Sequence, residues 1–173
     1  MKNPKLVEPD IKYQQSYLEA LNEYQDGGRF GDLPLDFIKR NFETYLDYLK
    51  GRKYGKGLPE GWVAETGYWL IDENEVIGLL RIRHELTDEL KKDGGHIGYD
   101  IRPSKRKQGY GKKILELGLI RAKELGIKKA LITCNFDNPA SKKIIEANGG
   151  KFENKVEIGQ GKPAKLRYWI SVA

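Results

Sequence analysis

Between Ile101 and Leu115 the chain carries Arg102, Lys105, Arg106, Lys107, Lys112 and Lys113 with no acid, and two glycines, Gly109 and Gly111, stand inside the run. Upstream, His96-Ile-Gly-Tyr-Asp-Ile101 reads as a strand that Pro103 ends. Downstream, Ile114, Leu115, Gly118, Ala122 and Leu125 place one apolar face on a helix that Gly126 terminates. The unit is therefore strand, basic Gly-rich loop, helix. A helix N-terminus presents unpaired N–H groups and partial positive charge. Glycine lets the backbone approach a ligand closely. Together with the bases, this is a phosphate or pyrophosphate cradle. Two plainer readings stand beside it: a solvated charged face, and a tight turn that merely uses two glycines.

The common nucleotide loops do not fit. A Walker A loop ending at Gly111-Lys112 needs glycine at position 106, which is Arg106, and Ser or Thr at 113, which is Lys113. The dinucleotide fingerprint needs a third glycine at 114, which is Ile114.

The remaining chain sets this unit in an α/β context. Tyr13, Tyr17, Leu21 and Tyr24 recur at helical spacing, and Gly27-Gly28 should stop that helix. A second helix follows Asp32-Leu33-Pro34, with Asp32 as cap and a stripe of Ile38, Phe42, Tyr45 and Leu49. Residues 51–61, rich in Gly, Lys and Pro, read as a long exposed loop. Residues 66–71 and 76–83 form a hairpin through Asp72-Glu-Asn-Glu75, and 84–95 is a charged connection. Lys129-Ala-Leu-Ile-Thr-Cys134 is a short buried strand. Asn138-Pro139 caps a helix that runs to Gly149-Gly150, and two strands near 151–158 and 165–172 close the chain. The expected fold is α/β (α+β): a mixed, largely antiparallel sheet of six to seven strands with about four helices. At 173 residues this is one domain, 1–173. No apolar run approaches the ~18 residues of a membrane span, and no secretory signal is visible, so a cytoplasmic location is the default. A lone cysteine, Cys134, excludes an internal disulfide and a Cys-based zinc cluster, and no metal is expected. Nucleic-acid binding has little support, because only Tyr110 interleaves with a short basic run.

The segment Gly95-His-Ile-Gly-Tyr-Asp-Ile-Arg-Pro-Ser-Lys-Arg-Lys-Gln-Gly-Tyr-Gly-Lys-Lys-Ile-Leu115 resembles the acetyl-CoA motif of the GNAT superfamily of N-acetyltransferases, Arg/Gln-x-x-Gly-x-Gly/Ala. Arg106, Gly109 and Gly111 fill its defined positions, and Asn135 to Gly150 resembles the family's next strand and helix. The specific match spans about 94–152, roughly a third of the chain.

The resemblance implies a GNAT-like fold. Residues 94–152 would be its acetyl-CoA-binding core, and 1–65 a helical region on the acceptor side. The implied partners are acetyl-CoA and the primary amine of a small molecule or peptide, with a homodimer left open. The backbone of Tyr99, Asp100 and Ile101 should pair with pantetheine and polarise the thioester. Arg106, Lys107, Gln108, Gly109, Tyr110, Gly111 and Lys112 should hold the pyrophosphate. Asn138 should bond pantetheine, and Ser141 could add a contact or only support the helix start.

The residue where the family often places a base is His96, whose ordinary pKa of ~6.5 suits that role. The alternative is a strand histidine bonded to its neighbour. His84-Glu85 is the runner-up pair, though adjacent strand residues face opposite ways. Many members carry a tyrosine acid seven residues after the asparagine, and here that position is Ile145. Tyr110, Tyr168 and Cys134 are the other groups to consider. Glu65 or Asp32 could hold a cationic amine. The missing tyrosine also admits a second reading, a CoA-binding module without catalysis.

Overall fold

The computed structural model describes residues 1–31, 33–159 and 161–172. Four strands, β1 (Lys5–Val7), β2 (Glu65–Asp72), β3 (Glu75–Arg83) and β4 (Ile97–Ile101), form one sheet in that order. Three more, β5 (Lys129–Asn135), β6 (Lys151–Val156) and β7 (Lys165–Ser171), form a second in the order β5-β7-β6. Every pairing within the two sheets is antiparallel. Among the described residues there are seven strands, within the expected six to seven, but they form two sheets that meet between β4 and β5 instead of one. β1, only three residues long, carried no periodicity to read.

The hairpin between β2 and β3 is tighter than the four-residue turn expected. Glu73 and Asn74 both take positive φ, 48° and 68°, which suits the twist of a two-residue hairpin loop.

Among the described residues six α-helices stand where about four were expected: α1 (Gln14–Asp26), α2 (Leu35–Arg40), α3 (Phe42–Gly51), α4 (Asp88–Lys92), α5 (Tyr110–Glu124) and α6 (Pro139–Ala147). Two local causes account for the difference. The expected second helix breaks at Asn41, which leaves helical geometry (φ −129°, ψ 44°), so its apolar stripe is shared between α2 and α3. The charged connection folds into α4 because Thr87 accepts a hydrogen bond from the Leu90 amide as its N-cap. Asp32, the cap expected for the second helix, lies outside the described residues. The 51–61 segment is pinned rather than free: Arg52 reaches the buried Glu65 at 2.7 Å.

The sheets have two differently clothed faces. α5 and α6 pack on one, where Ile114, Leu115 and Ile145 meet Leu80, Ile82, Ile97, Ile132 and Tyr168. α1 to α3 pack on the other, where Tyr17, Tyr24, Ile38, Phe42 and Leu46 meet Trp69, Ile71 and Val76. The Tyr17 ring stacks on Trp69 at 4.2 Å, an aromatic contact worth ~0.5–1.5 kcal/mol beyond area burial. The second cover stops short. On β3 it includes Leu79 but leaves Arg81 exposed.

Candidate active site

The site begins where the two sheets separate. Gly95 bridges Ile132, the His96 amide donates to the Leu131 carbonyl at 2.7 Å, and the Leu131 amide donates to His96 Nδ1 at 3.0 Å. Beyond these contacts no backbone hydrogen bond joins β4 to β5 among the described residues. β4 therefore has a free edge. The Arg83 amide donates to His96 C=O and the Arg102 amide to Ile77 C=O, one at each end of the β3–β4 ladder. In an antiparallel pair the bonding alternates, so the amides of Ile97, Tyr99 and Ile101 turn to the free edge. The Asp100 amide turns to β3 instead, which separates it from the other two expected pantetheine contacts. Its carboxylate lies on the opposite side of the sheet, 2.7 Å from Arg29.

The loop at the end of this edge has the backbone of an anion cradle. Lys107 and Gly109 take left-handed φ values of 59° and 86°, and Gly109 is the N-cap of α5. Among the described residues, none of the six amides from Lys107 to Lys112 has a hydrogen-bond acceptor. Such a run of amides concentrates partial positive charge on a bound anion.

Of the six bases in the sequence patch, three are engaged elsewhere. Arg102 is buried against Glu23 at 2.6 Å, Lys105 pairs with Glu75 and Lys113 with Glu116. Arg106, Lys107 and Lys112 are exposed and form no ion pair among the described residues. Arg106 Nε donates to Ile101 C=O at 3.1 Å, which ties loop to strand, and Gln108 holds the Ser104 carbonyl. Tyr110 differs from its neighbours. Its phenol donates to Asp72 at 2.8 Å in the core, and burial raises its pKa to about 12. Only its backbone is available to the loop. Gly111 answers to packing as well, because a Cβ there would come within 2.5 Å of Ile144 Cδ1 on α6.

Across the cleft, Asn138 Oδ1 accepts from the Ser141 amide and caps α6. Its side-chain NH2 makes no hydrogen bond among the described residues. The Ser141 hydroxyl lies 3.0 Å from the Tyr99 phenol, so β4 and α6 touch through two hydroxyls. Burial pushes Tyr99 up to about 12, against a smaller lowering by Ser141. Burial also raises the Cys134 thiol from its usual range. Ile145 is fully buried in the core, and Tyr168, with a pKa of about 12 from burial, reaches Glu146 at 3.3 Å. The Tyr99 phenol went unremarked in the sequence. Strand alternation from Ile97 was the signal that could have placed it toward α6.

The position of His96 matches the alternative reading, a strand histidine bonded to its neighbour. His96 Nδ1 accepts from the Leu131 amide, so in the neutral ring the proton sits on Nε2. The lone pair a base would use is occupied, and protonation there would break the bond from the Leu131 amide. Burial, then the Arg83 charge, lower its pKa and favour this neutral form. The runner-up His84 has Nε2 2.8 Å from Thr66 Oγ1, and Glu85 is exposed. Glu65, considered for an amine, is instead paired with Arg52 at 2.7 Å and Arg83 at 3.7 Å.

A sequence model described as "Acetyltransferase (GNAT) domain" matches residues 14–151. The chain belongs to the GNAT acetyltransferases. As a GNAT protein it is an acyltransferase whose acyl donor is acetyl-CoA. No curated protein sequence matches the chain significantly. Solved structures share the GNAT fold at low identity. One is the microcin C7 self-immunity acetyltransferase MccE with acetyl-CoA and AMP (14% identity, 99% of this chain and 93% of that one, TM-score 0.69). Another is Mycobacterium smegmatis RimJ with a CoA disulfide (14%, 98% and 82%, TM-score 0.72). A third, from Salmonella typhimurium, modifies the N-terminal serine of ribosomal protein L7/L12 (16%, 99% and 96%, TM-score 0.67). No helix among the described residues is long and apolar enough to cross a membrane.

Proposed function

We propose that the protein moves acetyl from acetyl-CoA to a primary amine by direct attack in a ternary complex. The observation that carries this reading is the run of acceptor-free amides from Lys107 to Lys112 at the end of the unpaired edge of β4. Those amides, with Arg106, Lys107 and Lys112, take the pyrophosphate. Pantetheine follows the free edge, bonding the backbone of Tyr99 and Ile101 and the Asn138 side-chain NH2. One edge amide faces the thioester oxygen; such a donor is worth ~2.7–4 kcal/mol in other acyl-transfer sites.

The neutral amine attacks the thioester carbon from the face opposite α5 and α6. The tetrahedral intermediate expels the CoA thiolate, and the proton lost by the amine balances the one gained by sulfur. With His96 engaged, solvent takes the amine proton. The Tyr99 phenol, held protonated by burial and steadied by Ser141, is the donor that supports the leaving sulfur in place of the tyrosine absent at Ile145.

Calorimetric titration with acetyl-CoA tests the cofactor half, and release of CoA thiol across an amine panel tests transfer. No binding to the folded protein at millimolar acetyl-CoA would sink the reading. Binding without thiol release from any amine would leave a CoA-binding module in its place.

A further inference from the structure

One row of the sheet is built unlike the rest. Arg81 is the one exposed residue of β3, and its partners are Gly67 on β2 and Gly98 on β4. A guanidinium thus lies between two positions without side chains. A Cβ on Gly98 would come within 3.1 Å of Arg81 Nε, so the arginine lies over β4, beside the residue that precedes Tyr99. A Cβ on Gly67 would meet nothing within 4 Å, so the other flank is open. Strand alternation puts this row on the face away from α5 and α6, with Leu79 and Asp100 one step along it.

The charge around the row is one-sided. Arg81 has no ion pair among the described residues, whereas Arg83 and Arg52 both pair with one buried carboxylate, that of Glu65. The positive field of Arg81 and Arg52 lowers the pKa of Arg83, after burial as the larger cause. Asp100, the nearest acid on this face of β4, is held by Arg29. A polycationic amine would therefore meet uncompensated positive charge here, and an anionic group would meet a planar donor with room beside it.

Resting on the acetyl-transfer reading, we propose that Arg81, on its glycine floor, binds an anionic group carried by the acceptor. The substrate class is then an amine with a carboxylate or phosphoryl group a few bonds from the nitrogen. The guanidinium would orient that amine toward the thioester held at Tyr99.

The test separates this proposal from catalysis. The CoA-saturated protein is titrated calorimetrically with matched pairs: phenylalanine against phenethylamine, 2-aminoethylphosphonate against ethanolamine, and a Ser-Glu-Glu peptide against Ser-Ala-Ala. Spermidine is the polycation. The expected result is at least ~10-fold tighter binding of the anionic member in one or more pairs, a preference that Arg81→Gln removes and Arg81→Lys partly restores. The pair that shows it tells free amino acid from phosphonate and from acidic peptide. Equal binding within every pair, a preference that survives Arg81→Gln, tighter binding of spermidine, or no binding of any probe would overturn the proposal. Thiol release measured in parallel reports separately on acetyl transfer, which can fail while the binding preference stands.

Discussion

On the α5–α6 side of β4 the candidate site rests largely on backbone groups, and on the side toward α1 to α3 it rests on side chains. The proposed cofactor side offers the amides of Lys107 to Lys112, the amides of Tyr99 and Ile101, and the capped start of α6. The opposite side offers Arg81 between two glycines, with Arg83, Arg52 and Glu65 at its margin. Backbone geometry depends on a few glycines and caps, so it suits a donor that never changes. Side chains can be exchanged one at a time, which suits an acceptor that differs between relatives.

Substitutions on the two sides should therefore fail in different ways. The largest effect is expected from Gly109→Glu, which forces a Cβ into left-handed φ and a negative charge into the cradle. Acetyl-CoA affinity should fall at least ~100-fold by calorimetry, about 2.8 kcal/mol, with the circular dichroism spectrum retained. Unchanged affinity would remove the loop from the cofactor side. Arg81→Gln should do the reverse, leaving acetyl-CoA affinity intact while anionic acceptors weaken.

Gly111→Ala sharpens the distinction between cradle and scaffold. Its methyl would press on Ile144 and cost ~1–3 kcal/mol of stability. A loss of melting temperature with CoA affinity retained would show that Gly111 serves helix packing first. Asn138→Ala removes the α6 cap and should cost ~1 kcal/mol, or about 2–4 °C in melting temperature. Its additional loss of CoA affinity measures what the free NH2 contributes.

The backbone shape of the proposed cofactor side was legible from sequence because its signals are local. Glycine, proline and asparagine specify backbone shape where they stand, as at Gly109 and at Asn138-Pro139. What stayed hidden depends on contacts between distant residues. Nothing local shows that Arg102 turns to Glu23 or that Tyr110 turns inward to Asp72. Nor does local sequence show that Gly67, Arg81 and Gly98 share a row, because strand register creates that neighbourhood. The break of the second helix at Asn41 was hidden too, since the apolar stripe continues through it.

The smallest predicted effect concerns His96. Its native pKa lies below the ordinary value, so the unfolded chain binds the proton more readily. This contribution to stability is complete above about pH 6.5 and declines as the pH falls toward the lowered native value. Melting scans from pH 7.5 to 5.5 should show that decline, reduced in His96→Gln. The same variant should keep kcat within about threefold, whereas removal of a general base would cost ~100-fold or more.

The narrow tie between β4 and β5 has a dynamic consequence. With the stitching between the sheets gathered at Gly94, Gly95 and His96 against Leu131, Ile132 and Thr133, thermal opening of the molecule should start beyond it. That is the line along which pantetheine is proposed to lie. A ligand bonding Tyr99 and Ile101 there would act as a temporary strand. The two amides should exchange hydrogen quickly in the free protein and slowly with CoA, so that each catalytic cycle would complete and then reopen the sheet.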